Sequence, residues 1–432
     1  MVKVIGAGLA GCEAAYYLAQ HNVKVELYEM RPHRMTPAHQ TDRFAELVCS
    51  NSLRSNDSNN AVGLLKREME YLGSLIMEAA HHSAVPAGSS LAVDRDLFST
   101  YIESKIFKHP LINVIREEVI DISSDQWTIL AAGPLASESL SLSIKQLLGQ
   151  DDLHFFDAIA PIIEKESINM EIAYLKSRYD KGEAAYINCP MTKSQYEAFY
   201  EALIQAETVD IKGFENNVFE GCMPVEVMAK RGKDTLLYGP LKPVGLALNK
   251  DNKPYAVIQL RQDDAMKTMY NIVGFQTHLT WDAQRQIIHM IPGLEKANIL
   301  RYGVMHRNTY IESPKVLNAG FQSIQYPHLF FAGQISGVEG YVESAASGLN
   351  AAIQMLLWIN QKTIHPFPRE TMMGAMAAYI STPNHSFVPM NANLGLLPPL
   401  AFKHKKADRK TRYKERALCA LADYKKECLT DD

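Results

Sequence analysis

The sequence predicts an α/β fold in which one domain, built on a parallel sheet, is interrupted by a mixed α/β insertion. Three observations carry this expectation. A strand, glycine turn, helix and strand follow one another from residue 2. A second strand-and-small-residue-helix unit lies far downstream, at residues 328–352. Between them, from about residue 190, the texture changes to an amphipathic helix and short apolar runs broken by Gly and Pro. A chain of 432 residues is long enough for two or three domains.

The first unit reads VKVI, then GAGLAG, then the helical run LAGCEAAYYLAQH, then the strand VKVELYE. Within Gly6, Ala7, Gly8, Leu9, Ala10 and Gly11, each glycine has its own task. Gly6 permits the turn, Gly8 lets the backbone approach a pyrophosphate, and Gly11 permits close helix–strand packing. The helix N-terminus offers unpaired N–H groups and a favourable dipole to phosphates. Glu29 ends the second strand, where a carboxylate can accept hydrogen bonds from a ribose diol. A bare glycine-rich turn would share the motif, but not the flanking strands and the carboxylate. The fingerprint alone leaves NAD and FAD both open.

The downstream unit is HLFFAGQISGVEGYVESAASGLNAA. LFFAG reads as a strand, and the following run, with Glu343 in it, as a helix lined by small residues. Gly333, Gly337, Gly340 and Gly348 leave room for close backbone approach. The helix N-terminus is suited to a flavin pyrimidine, where negative charge develops on reduction. Two cofactor half-sites at opposite ends of a chain are the layout of a glutathione-reductase-like FAD-binding Rossmann domain. An ordinary βα crossover is the plainer alternative. QWTILAAGP (126–134) is expected as a strand returning near the adenine half. VDRDLFSTYIESKI is expected as a helix capped by Asp94. The chain holds one full GxGxxG, so a nicotinamide dinucleotide is expected to dock transiently at the flavin. The expected domains are 1–190 and 311–432 for the two parts of the FAD-binding domain, with an insertion at 191–310. The last part ends in a basic tail helix.

In the insertion, Thr192 and Gln195 stand at capping-box spacing before an amphipathic helix. VFEGCMPVEVMAKRGKDTLLYGPLKPVGL reads as loops and strands, and residues 254–277 as strand, polar turn and strand.

Six cysteines are scattered without CxxC or zinc-ligand spacing, so no metal site is expected. The usage fits a reducing cytoplasm. No secretory leader is read at the start, and no apolar run approaches the ~20 residues that span a bilayer. Cys49 lies in the polar run FAELVCSNSLRSN, unlike a cysteine used as a small core hydrophobe. Cys222 lies between a glycine and Met-Pro in FEGCMPVEVMAKRG, a turn that can expose a thiol, with Lys230 or Arg231 near enough in sequence to favour a thiolate. Cys12 reads as packing, and Cys189, Cys419 and Cys428 as uninvolved.

The formal net charge is −4, from 44 Lys plus Arg against 48 Asp plus Glu. Basic character is therefore local: KHKKADRKTRYKERA near the C-terminus, the group Lys230, Arg231, Lys233 and Lys242, and the segment with Arg301, His306, Arg307 and Asn308. Such patches suit phosphate, though a charge run is equally a solvated face.

Taken together, GAGLAGCEAA, ELVCSNSLRS, NAVGLLKREM, INCPMTKSQYEAFYEAL, FEGCMPVEVMA, GPLKPVGL, RYGVMHRNTYI and AGQISGVEGYVESAASGLNAA closely resemble the TrmFO family. These are the folate- and FAD-dependent tRNA (uracil-5-)-methyltransferases, related to the GidA-type flavoproteins. The resemblance runs nearly end to end, and its cysteine motifs are more specific than its glycine fingerprint. It implies 5-methyluridine formation at position 54 of the tRNA T-loop. The carbon would come from 5,10-methylenetetrahydrofolate and the reducing power from NADPH or NADH through FAD. It also implies that Cys222 attacks uracil C6, and that Cys49 is a flavin-side thiol helping to remove the C5 proton. Asn51, Ser52 and Arg54 are expected to shape the Cys49 loop. Ribosomal RNA as target and a GidA-like modification are the alternatives.

Overall fold

The computed structural model describes residues 1–149, 153–158, 160–209, 223–248, 253–383, 387–401 and 405–429. Its first sheet is parallel throughout, in the order Leu329–Phe331, Thr128–Leu130, Val2–Ile5, Val25–Tyr28 and Ile112–Ile115. These strands are short apolar runs, and Val2, Val4, Ile129 and Phe330 are fully buried. Helices covering both faces of a parallel sheet produce that pattern. The strand Leu329–Phe331 sits beside Thr128–Leu130, so the distant end of the chain completes the N-terminal sheet, as the two half-sites predict.

The helix Leu9–Gln20 packs on the long helix Tyr341–Ile359 with almost no space between backbones. A Cβ at Gly348 would fall 2.2 Å from the carbonyl oxygen of Ala10, and one at Gly11 would fall 1.8 Å from that of Gly6. Small residues at these positions are therefore what lets both helices converge on one end of the sheet.

A second sheet, antiparallel throughout, has the order Tyr174–Leu175, Tyr186–Met191, Ala256–Gln262, Met269–Ile272, Ile162–Glu164 and Ile299–Arg301. It draws strands from residues 162–191 as well as from 256–301. The capping box forms as expected: the Thr192 hydroxyl accepts from the Gln195 N–H while the Gln195 side chain accepts from the Thr192 N–H, and the helix Lys193–Gln205 follows. Its Tyr196 and Phe199 are buried with Ile187, Ile258 and Phe275 in a separate core.

The expected loops and strands after Pro224 are instead helices, Val225–Lys230 and Thr235–Tyr238. Proline before the first turn fixes a φ of −57°, and Val225 and Ala229 recur at helical rather than alternating spacing on the buried side. The two bodies are joined by an antiparallel pair, Leu153–Ala158 with Met305–Tyr310, so the chain leaves and returns side by side. Among the described residues no helix is long and apolar enough to cross a membrane.

Candidate active site

A cleft of about 1020 Å³, its mouth included, opens at the C-terminal ends of the parallel strands. This is where open α/β sheets bind ligands, and the size suits a dinucleotide. Gly6, Gly8, Leu9, Ala10, Glu29 and Gly333 line it. So do Ala131 to Pro134, from the strand expected to return near the adenine half. Ala7 and Gly11 lie behind this wall: the Ala7 N–H donates to Glu29 Oε2 at 3.0 Å, and Gly11 packs on Gly6.

Gly6 has φ +101°, and a Cβ there would strike the Ala131 carbonyl at 2.5 Å. Gly8 differs: nothing lies within 4 Å of where its Cβ would be. The opening faces the cleft, so the absent side chain leaves room for a ligand rather than for protein. Two helices begin at the cleft, Leu9–Gln20 and Tyr341–Ile359, each with a glycine N-cap and no capping side chain. Their first N–H groups are thus available to phosphate or to a flavin edge. These features fit FAD. Glu29 and the helix at Leu9 would hold its adenosine and pyrophosphate, and Gly333 and Tyr341 would flank the flavin end.

Glu29 is buried and meets Arg31, whose Nε lies 2.9 Å from Oε1. Burial works to raise its carboxyl, but the hydrogen bonds and charge of Arg31, with the N–H groups of Arg31 and Ala7, outweigh burial and hold it below its usual range. Arg31 also reaches Glu46 at 3.3 Å and the Thr41 carbonyl. The sequence pattern identifies Glu29 but gives no sign of Arg31.

Gly337, Gly340 and Glu343 do not line the cleft. A Cβ at Gly337 would strike the edge of the Phe387 ring, 2.4 Å from Cζ. Gly340, at φ +111°, starts the long helix. Glu343 is fully buried, pairs with Arg54 and accepts from the Ala392 N–H at 2.8 Å. Its visible work is to clamp the Cys49 loop, because Arg54 lies in the short strand Ser52–Ser55 that follows that cysteine.

Cys49 is half-buried, and its Sγ lies 2.8 Å from the hydroxyl of Tyr341, which lines the cleft. The loop is tied to the second body as well. Asn51 accepts from Arg261 Nε at 3.0 Å and donates to the Gln262 carbonyl, while Arg261 Nη2 donates to Ser50 Oγ at 2.7 Å. Arg95 holds the Leu47 carbonyl and lies 3.1 Å from Asp263. Burial acts to lower Arg95, but Asp263 and the negative charge accessible to Tyr341 and Cys49 raise it. Arg301 also feels Tyr341, and burial and repulsion from Arg95 lower it. Arg95, at the start of the helix Arg95–Lys108 in the first body, is thus the cation that feels Cys49, and positive charge beside a sulfur favours thiolate.

Cys222 lies outside the described residues. Lys230 and Arg231 are exposed beyond it, and the side chains of His306 and Arg307 are likewise outside the described set. Asn308 is buried. The Cys12 thiol is buried and donates to the Ala7 carbonyl, and Cys189 is buried in the second core. Among the described residues no group of His, Cys, Asp and Glu is placed to hold a metal ion.

The sequence model of the family described as glucose inhibited division protein A matches residues 1–363. The methylenetetrahydrofolate–tRNA-(uracil-5-)-methyltransferase TrmFO of Acholeplasma laidlawii is 63% identical over 98% of this chain and 99% of its own. The chain belongs to the TrmFO family, within the GidA group. The protein of the same name from Anoxybacillus flavithermus is 58% identical over 99% of both chains. Among solved structures, Aquifex aeolicus GidA superimposes with a TM-score of 0.72, covering 100% of this chain and 74% of that one. At 16% identity, that likeness speaks to fold alone.

Proposed function

We propose that this chain forms 5-methyluridine at position 54 in the T-loop of tRNA. It takes its one-carbon unit from 5,10-methylenetetrahydrofolate and its reducing equivalents from NADPH or NADH. The observation that carries this reading is a polar-loop thiol, Cys49, held beside a dinucleotide-sized cleft in a chain 63% identical to an enzyme named for that reaction. Bound in the cleft, FAD supplies the redox chemistry that takes the folate-derived carbon to the methyl level.

The residue types suit what remains. Uracil C5 is a poor nucleophile until a thiolate adds at C6, and we assign that addition to Cys222. A base must then take the C5 proton, and we assign that to Cys49, whose loop Arg261 and the Arg54–Glu343 pair hold in place. Both thiols must stay reduced, which suits a cytoplasmic enzyme. For RNA we favour the exposed cations of the C-terminal helix Arg409–Tyr424, with Arg409, Lys410 and Arg412 outermost. Of the second group, Lys233 is engaged by Glu197 at 2.8 Å, and the exposed Lys230 and Arg231, with Lys242, are further candidates.

The test supplies labelled 5,10-methylenetetrahydrofolate, NADPH and FAD to undermodified tRNA and ribosomal RNA in parallel. Label at C5 of the T-loop uridine is expected. Label in ribosomal RNA alone would keep the chemistry and change the target, and no label from a folded, flavin-loaded protein would overturn the reading. Cys222→Ala should abolish the covalent RNA adduct. Cys49→Ala should retain the adduct and slow methylation by about 10²-fold or more. An adduct lost with Cys49 instead would reverse the two roles.

A further inference from the structure

Tyr341 is the first residue of the long helix and lies 292 positions from Cys49, yet its hydroxyl makes two contacts with Cys49 and a third with Ser50. The Tyr341 oxygen accepts from the Cys49 N–H at 2.7 Å and from the Ser50 N–H at 3.2 Å. The same oxygen lies 2.8 Å from Cys49 Sγ. A phenolic oxygen brings one proton and two lone pairs to a hydrogen-bond network. Two backbone N–H donors occupy the acceptor side. What remains to face the sulfur is the hydroxyl proton. We infer that Tyr341 donates its O–H in a hydrogen bond to the sulfur of Cys49, and so biases that thiol toward the thiolate.

The surroundings agree. Burial, and then the negative charge of Cys49, keep Tyr341 well above its ordinary range, so it remains a donor across the working pH. The charged groups facing the pair come from several elements. Arg95 opens its helix beside both residues, Asp263 backs Arg95, and Arg301 and Glu46 lie at the edge. The arginines favour thiolate in a diffuse way, whereas Tyr341 directs one hydrogen bond at the sulfur. The device is legible only in three dimensions, since it joins a loop after the second strand to a helix near the end of the chain.

The inference rests on the proposed reaction only for the use made of Cys49. Its test needs neither RNA nor folate. The rate of Cys49 alkylation by iodoacetamide would be followed against pH in the flavin-loaded protein, by mass spectrometry of the peptide that carries it. In Tyr341→Phe the midpoint of the profile should move up by about one unit, and the rate at pH 7 should fall about tenfold. Loss of the oxygen that accepts from the two backbone N–H groups could also loosen the loop, so 3-fluorotyrosine would be placed at position 341 as well. This more acidic phenol keeps the geometry and strengthens the donor, and should move the midpoint down. An unchanged profile in Tyr341→Phe would overturn the inference. So would a fluorotyrosine profile that coincides with the native one, because that would leave Tyr341 a structural role only. Where Tyr341→Phe fails to fold, the fluorotyrosine profile decides.

Discussion

At the scale of single residues, the glycine fingerprint separates into positions that serve the fold and positions that serve a ligand. Gly11 has the Gly6 carbonyl 1.8 Å from where a Cβ would sit, whereas Gly8 faces open cleft at an ordinary φ of −76°. Gly11→Ala should therefore destabilise the protein by about 1–3 kcal/mol or more, because backbone must move. Gly8→Ala should change stability by no more than about 0.5 kcal/mol while weakening flavin retention sharply. Chemical denaturation of the flavin-free protein and flavin titration measure the two effects separately. If Gly8→Ala bound flavin normally, the cleft wall would not be where the pyrophosphate lies. The pattern GxGxxG makes all three glycines visible in the sequence, but only the structure tells them apart.

At the scale of elements, two buried glutamates cap helices other than their own. Glu13, on the first helix, accepts from the N–H groups of Leu75 and Ile76 and from the Ser74 hydroxyl. Glu68 accepts from Met372 and Met373 at the start of the helix Met372–Ser381. Burial pushes the Glu68 carboxyl up to about 8 and that of Glu13 up to about 7, although the capping donors pull the other way. A carboxyl raised in the fold binds more protons there than in the unfolded chain. Its stabilising effect is full below about 4.5 and is lost as pH rises through 7 to 8. Glu68→Gln replaces an acceptor by an amide NH₂ facing an N–H, and should cost about 1–3 kcal/mol at pH 6 but less at pH 9. Equal costs at the two pH values, by urea unfolding, would show that Glu68 does not titrate between them. No local pattern announces such caps, since partner and donor are 304 positions apart. Elements written in consecutive residues were legible: the first strand–turn–helix, the Thr192 box, and the Asp94 cap, which accepts from the Leu97 N–H. The pairing of 153–158 with 305–310, the strands within 162–191 and the helices after Pro224 were not legible. Each depends on which surface the segment meets rather than on its own period. The site divides in the same way: Cys49 stood out by its polar setting, whereas Tyr341, Arg31 and Arg261 became visible only when distant segments met.

For the whole molecule, binding a polyanion with a net charge of −4 requires that cations be gathered on one face. The helix Arg409–Tyr424 divides its own cations between two tasks. Arg416 donates to the carbonyls of Pro398 and Pro399 and covers the Tyr413 ring, so it fastens the helix to the body. Lys410 and Arg412 are exposed, and Lys410 donates to Asn60 Oδ1 at 3.0 Å. Asn60 immediately precedes the helix Ala61–Tyr71, which follows the Cys49 loop and carries the fully buried Lys66. Lys66 donates to the Arg54 and Ser55 carbonyls. An RNA seated on the outer cations would thus lie against the elements that brace the Cys49 loop. Replacing Lys410 and Arg412 by Ala together should flatten the slope of log affinity against log salt by about 1.5 to 2, with unfolding temperature unchanged. Arg416→Ala should do the reverse, costing about 1.5–3 kcal/mol of stability and leaving the slope nearly as it was. Filter binding of tRNA between low and physiological salt measures the first, and thermal unfolding the second. A double variant with the native slope would move the RNA surface away from this helix, toward Lys230, Arg231 and Lys242.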